Sequence, residues 1–176
     1  MNLAYQENLP ADFHPDSRVW IYQSDRLFTM GEALEIKDVL NVFTASWKTH
    51  GDKVKGYAQI FFDKFIIFMA DEKATSVSGC STDSSVRVVK DIEKKYGVSL
   101  FNRQLLTFYK ENHLLQIPLN QFESAIQDNV LFPNILYFNN TISTKEELET
   151  KWIIPLKDSW LAKYLFGENT AFTYHK

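Results

Sequence analysis

The hydrophobic and polar positions of this chain follow two periods in turn. Residues 18–24, "RVWIYQS", are dense in β-branched and aromatic side chains and predict a first strand. In "GEALEIKDVLNVFTASWKTHG", Ile36, Val39, Leu40, Phe43 and Trp47 recur every three or four residues and form one helical stripe. Gly51 offers the left-handed position that ends such a helix, with His50 in the last turn, where the helix dipole favours a cation. "VKGYAQIFF" and "FIIFMADE", joined through Asp63 and Lys64, predict a hairpin. Both its faces are largely apolar, as in strands covered on both sides. A second helix is expected from about Thr82 to Tyr96, striped by Val88, Val89, Ile92 and Tyr96 and closed by Gly97.

Further on, "LLTFYK" and "LLQIPL" predict a second hairpin turning at Glu111 and Asn112. "NQFESAIQDN" reads as a short helix capped by Asn120, and "NILYF" as a late strand. "STKEELETKW" opens with Ser143 and Glu146 at capping-box spacing. "KDSWLAKYLF" reads as a last helix with Trp160, Leu161, Tyr164 and Leu165 on its apolar side. The order β-α-β-β-α-β matches the start of a ferredoxin-like sandwich. The expected class is therefore α+β with a mostly antiparallel sheet, extended by a second hairpin and C-terminal helices. Residues 1–17, with Pro10 and Pro15, form a polar arm, loose or docked through Leu3, Tyr5 and Phe13; 18–176 is expected as a single domain. A ferredoxin-like sheet carries both helices on one face, so its other apolar face needs a cover. The C-terminal helices or a second subunit would supply it, which makes a homo-oligomer an expected partner.

Composition narrows the function classes. The chain is 45% hydrophobic and 15% aromatic, the make-up of a folded globule. Net charge is -3, with the signs mixed along the chain, so nothing points to nucleic acid. Its longest apolar stretch, "YAQIFFDKFIIFMA", is interrupted by Gln59, Asp63 and Lys64 and is too short to cross a bilayer; no membrane partner is expected. The start, "MNLAYQENLPADFHPDS", has neither the basic nor the apolar region of a signal peptide, which predicts a cytoplasmic protein. One cysteine allows no internal disulfide and no Cys-rich zinc site. No cofactor is expected, and no metal: His14, Pro15 and Asp16 lack further ligands nearby.

The chemistry concentrates in "VSGCSTDSSVRVVKDIEKKY", residues 77–96. Backbone N–H groups at a helix start attract an anion or a side-chain oxygen. Gly79, Ser81, Thr82, Asp83, Ser84 and Ser85, with Arg87 one turn in, make a candidate ligand-binding loop of unidentified ligand. Plain helix capping, with Asp83 among the candidate caps, accounts for the same residues. Cys80 lies where the dipole would raise its thiolate fraction, so it is a candidate nucleophile with His50 or His113 as base. Six residues separate Cys80 from Arg87, one too many for a tyrosine-phosphatase loop. Three readings stay open: a non-enzymatic binding or interaction module, an enzyme working through Cys80, and a structural protein whose loop only caps a helix.

"VWIYQSDR", "SWKTHG", "VSGCSTDSSVRVVKDIE" and "LFNRQLL" resemble a family of small uncharacterised bacterial proteins from the Bacteroidetes, some labelled ABC transporter ATPases. The resemblance runs from about Arg18 to Phe166 and implies no catalytic residue, because the family carries no established activity. The ATPase label does not fit these residues, since no Gly-Lys-Ser/Thr phosphate loop is present.

Overall fold

The computed structural model describes residues 1–49, 51–73 and 79–165, with the backbone alone at 79–81. The chain is α+β with antiparallel sheets, the class its pattern predicts. In order it forms β1 (Arg18–Gln23), α1 (Met30–Ser46), the short β2 (Lys48–Thr49) and β3 (Asp52–Lys53), β4 (Gly56–Phe61), β5 (Phe65–Ala70) and α2 (Gly79–Tyr96). There follow β6 (Leu105–Lys110), β7 (His113–Pro118), α3 (Phe122–Gln127), β8 (Leu136–Phe138), α4 (Lys145–Lys151), β9 (Ile153–Pro155) and α5 (Ala162–Leu165). Within the span expected as one domain, the chain forms two compact units. The first is Met1–Asn102 with Asn140–Thr150; the second is Arg103–Asn139 with the chain from Lys151.

The sheet of the first unit runs β1-β5-β4, all antiparallel, with Trp20 and Ala58 flanking Phe68. This is the order of the first three strands of the ferredoxin-like arrangement, with α1 as the crossover. The fourth strand of that arrangement is missing from this sheet, because β6 pairs with β7 and β8 in the second unit. The returning chain at 143–145 occupies the outer edge of β1 instead. The Val19 N–H donates to the Ser143 carbonyl (2.8 Å), Arg18 bridges Thr144, and the Lys145 N–H donates to the Ser17 carbonyl (2.9 Å).

Every residue of β5 is buried, so both sheet faces need a cover. On one face Tyr22, Ala58, Ile66, Phe68 and Ala70 pack with Ile36 and Leu40 of α1 and Val89 and Ile92 of α2. The other face is covered by the N-terminal arm and α4. Tyr5 sets its ring edge-on to Phe61 and Phe62 (centroids 6.5 Å) and donates its hydroxyl to the Leu148 carbonyl (2.6 Å). The Tyr57 hydroxyl donates to the Asn8 carbonyl (2.7 Å), and the Lys55 ammonium lies 4.8 Å over the Phe13 ring. Of the two alternatives for the arm, docking through Tyr5 and Phe13 is the observed one.

Local chemistry sets the ends of α1. The Thr29 hydroxyl accepts from the Glu32 N–H (3.3 Å) and the Glu32 carboxylate accepts from the Thr29 N–H (2.8 Å), a reciprocal cap. Arg26 grips that carboxylate with both guanidinium nitrogens (2.8 and 2.9 Å) and donates to the Tyr96 carbonyl (2.9 Å). One guanidinium thus ties the start of α1 to the last residue of α2. The helix ends at Ser46 rather than at Gly51: Trp47 turns to extended backbone (ψ 123°) and buries its indole. Gly51 instead takes its positive φ (95°) between β2 and β3, and His50 lies outside the described residues. Burial of the large indole outweighs another helical turn.

In the second unit the sheet runs β7-β6-β8-β9. Glu111 and Asn112 form a two-residue turn with both φ positive, as tight hairpins require. Phe108, Phe122, Tyr137, Leu156 and Leu161 are central to its core. Asn120 does not cap α3; it lies in a 3-10 turn, and no side chain caps that helix. α4 is capped one residue later than expected, by Thr144 accepting from the Glu147 N–H (3.2 Å) while Glu147 accepts from the Ser143 N–H (2.9 Å). The last helix is interrupted by Ser159, whose hydroxyl donates to the Leu156 carbonyl (2.7 Å) and accepts from the Leu161 N–H (3.1 Å). Among the described residues no helix is long and apolar enough to cross a membrane.

Gly56 and Trp47 test this packing. A Cβ at Gly56 would collide with Cε3 of the Trp47 ring and lie 2.9 Å from Cζ3. Gly56→Ala should therefore cost about 1–3 kcal/mol in urea unfolding. In a Trp47→Leu background the same change should cost clearly less, since the ring it strikes is gone.

Candidate functional site

Helix α2 begins at Gly79, three residues before the expected start. Residues 79–85 are therefore its first two turns rather than a loop before it. Ser85 is buried on the stripe that continues through Val89 and Ile92, and its hydroxyl donates to the Thr82 carbonyl (2.8 Å). Thr82 and Ser84 are half-buried, whereas Asp83 and Arg87 are exposed. Four residues apart, Asp83 and Arg87 share one helix face, so an anion drawn to Arg87 meets a carboxylate. Asp83 is the fifth helical residue and is not the cap. The side chains of Cys80 and Ser81 lie outside the described residues, as does His50. His113 is exposed at the start of β7, with Nδ1 2.8 Å from the Glu111 carbonyl of its own turn.

A polar cluster that the sequence reading passed over holds the arm in place. Asp71, buried at the end of β5, accepts from Lys55 (3.2 Å) and from the backbone N–H groups of Lys73 (3.2 Å) and His14 (3.4 Å). Burial raises its pKa, but these donors outweigh burial and hold the carboxyl below its ordinary range. Lys55 also pairs with Asp12 (3.2 Å) and donates to the Asp12 carbonyl. Every member has a partner, so the cluster acts as a clamp. His14 Nδ1 is taken by the Asp16 N–H (3.1 Å), and among the described residues no three His, Cys, Asp or Glu side chains are grouped to hold a metal.

Lys64 has the opposite character. The Phe61↔Phe65 pair closes β4 and β5 around a three-residue loop. Phe62 (φ 55°) and Asp63 (φ 50°) are left-handed, and Lys64 is the extra residue. Its N–H returns to the Phe61 carbonyl (3.1 Å) and its carbonyl accepts from the Ser24 N–H (2.9 Å). This is a bulge, a device that re-aims a side chain. Lys64 is 2% exposed, and no carboxylate of the described residues lies within ion-pair distance of its ammonium. Burial pulls its pKa down to about 8, against an upward pull from Asp25. The sequence places Lys64 with Asp63 at the join of the hairpin, the ordinary setting of an exposed turn lysine. Only the apolar residues on both sides of it hinted otherwise.

No protein-family model, curated protein or solved structure matches the chain.

Two measurements check these placements. Asp83→Ala should change stability by less than about 0.5 kcal/mol, because an exposed residue inside the helix is not its cap. A loss near 1 kcal/mol would restore the capping role. For Lys64 the sign follows from its depressed pKa. Between pH 8 and about 10.4 the unfolded chain keeps the proton that the folded chain has released, so this residue makes stability rise with pH. Lys64→Met should remove that rise. The variant should be the more stable protein at pH 7, by up to about 3 kcal/mol, and lose the advantage by pH 10.

Proposed function

We propose that this protein is a non-enzymatic interaction module whose partner, in the first instance a second copy of itself, docks on the outer side of α1. One observation carries the reading. Of the nine exposed large hydrophobic residues described, five fall in residues 27–42: Leu27, Met30, Leu34, Val39 and Val42. Met30, the first residue of α1, is 81% exposed, and Val42 is 70% exposed on the side of the helix away from Ala33 and Leu40. Concentrated exposed apolar surface marks interaction sites. Lys37 and Asp38, both exposed, bring both charge signs to the same helix. A surface that meets its own copy across a two-fold must complement itself, and paired opposite charges do this. A net charge of only -3 opposes self-association weakly.

An anion site at 79–85 has narrower support. Its support among the described groups is the backbone N–H groups of the first helical turn, which holds no acidic residue; Ser85 is turned inward, and Asp83 shares the helix face of Arg87. The enzyme reading through Cys80 draws no support from His113, which is held in its own turn.

Sedimentation over a hundred-fold concentration range tests the proposal. The wild type should shift from monomer to dimer, and Leu34→Glu with Val42→Glu should abolish the shift while leaving the circular-dichroism spectrum unchanged. A wild type that stays monomeric, or a dimer that the double substitution leaves intact, overturns it.

A further inference from the structure

The end of the β4–β5 hairpin has the makings of a reactive site. Among the described residues, Ser17 Oγ is the one side-chain nitrogen or oxygen that is both fully enclosed and unpartnered. The Lys64 ammonium has no hydrogen-bond or ion-pair partner among those residues, so it is not fully enclosed. Part of the little exposure that the residue has therefore lies at Nζ. The residue is almost enclosed, and its amine still touches solvent. The backbone beneath it is pinned, with the Lys64 N–H on Phe61, its carbonyl on Ser24, and the Asp63 carbonyl accepting from the Phe28 N–H (2.7 Å). An amine on a pinned backbone, desolvated and without an ion-pair partner, is the arrangement of a nucleophilic lysine.

Nearby charge selects the electrophile. Asp25, whose carboxylate acts on Lys64, is held by the Ser99 N–H (3.1 Å) and would repel an anion. Arg26, next to Asp25 in the chain, is committed to Glu32 and the Tyr96 carbonyl. The one charge shown to act on Lys64 is thus an anionic one, which disfavours a carboxylate or phosphate ligand. We propose that Lys64 is a carbonyl-reactive site, whose Nζ forms an imine with a small uncharged aldehyde. The nitrogen lone pair adds to the carbonyl carbon, and the two nitrogen protons leave with the carbonyl oxygen as water. The C=N bond replaces C=O, with no change of oxidation state. The depressed basicity of Lys64 supports the site: at pH 7.5 about a quarter of such amines are neutral, against about one in a thousand for an ordinary lysine.

Limiting formaldehyde with cyanoborohydride, followed by peptide mass spectrometry, reads the site directly, because hydride from the reagent converts each imine to a methylamine. At pH 7.5 Lys64 should methylate at least about ten-fold faster than the typical one of the other fourteen lysines. That advantage should shrink as the pH approaches 10.5, where the others become neutral too. Lys64→Arg should leave the remaining lysines labelling at their former rates. Labelling of Lys64 no faster than the rest, or labelling only after unfolding in urea, overturns the proposal. The result is independent of whether α1 mediates association.

Discussion

β5 has no face toward water, and the first unit is built around that fact. "FIIFMA" buries six consecutive side chains, so apolar material must cover the sheet on both sides. Two helices cover one side. The other is closed by segments from opposite ends of the chain: the arm before β1 and the stretch Asn140–Thr150, which returns after most of the second unit has been traced. Tyr5 joins these two covers, with its ring on Phe61 and Phe62 and its hydroxyl on the α4 carbonyl. Burial pushes that hydroxyl's pKa up to about 12, with the Glu149 charge adding to the effect, so it stays a donor through the physiological range.

The cover explains why the clamp around Asp71 is fully satisfied. An arm of seventeen residues gains little from its own secondary structure, a single 3-10 turn at Tyr5–Asn8, and must be held by contacts. Lys55 supplies several at once, to the Asp12 side chain, the Asp12 carbonyl, Asp71 and the face of Phe13. Lys55 is partly exposed, so its ion pairs are screened, and their value is positional more than energetic. The buried aromatic rings carry the larger share of the binding, and the ion pairs fix where the arm lies.

Which parts of this were legible follows from the range of each signal. The apolar run of β5, the stripe of α2 and the turn at Glu111 and Asn112 are local patterns that formed close to where they were expected, whereas of the stripe expected in α1 Val39 is exposed and Trp47 lies past the helix end. The pairing of β6 is not local. Its side chains suit either sheet, and only the returning segment at 143–145, on the edge of β1, shows that the fourth place was already filled. β2, β3 and β9 span two or three residues, below the length at which alternation is readable. Gly51 misled because a left-handed glycine serves a hairpin as well as a helix end. The early start of α2 turned a supposed loop of hydroxyl residues into two helical turns, one of whose serines faces the core.

Two departures from local rules meet in one loop. Phe62 holds a left-handed backbone that bulky side chains disfavour, and next to Asp63, in the same three-residue loop, Lys64 puts an uncompensated amine where an apolar residue would pack. Neither feature helps the sheet: a two-residue turn, like that between β6 and β7, would join the strands without a bulge. Tyr5, Phe61 and Phe65 surround the Phe62 ring and hold the strained turn in place. Strain and desolvated charge persist only where the surrounding structure over-determines them. In a unit whose other buried polar groups are nearly all satisfied, their meeting in one loop separates Lys64 from the rest of the fold. Stability alone gives no reason for a lysine there, which makes chemistry the simpler account.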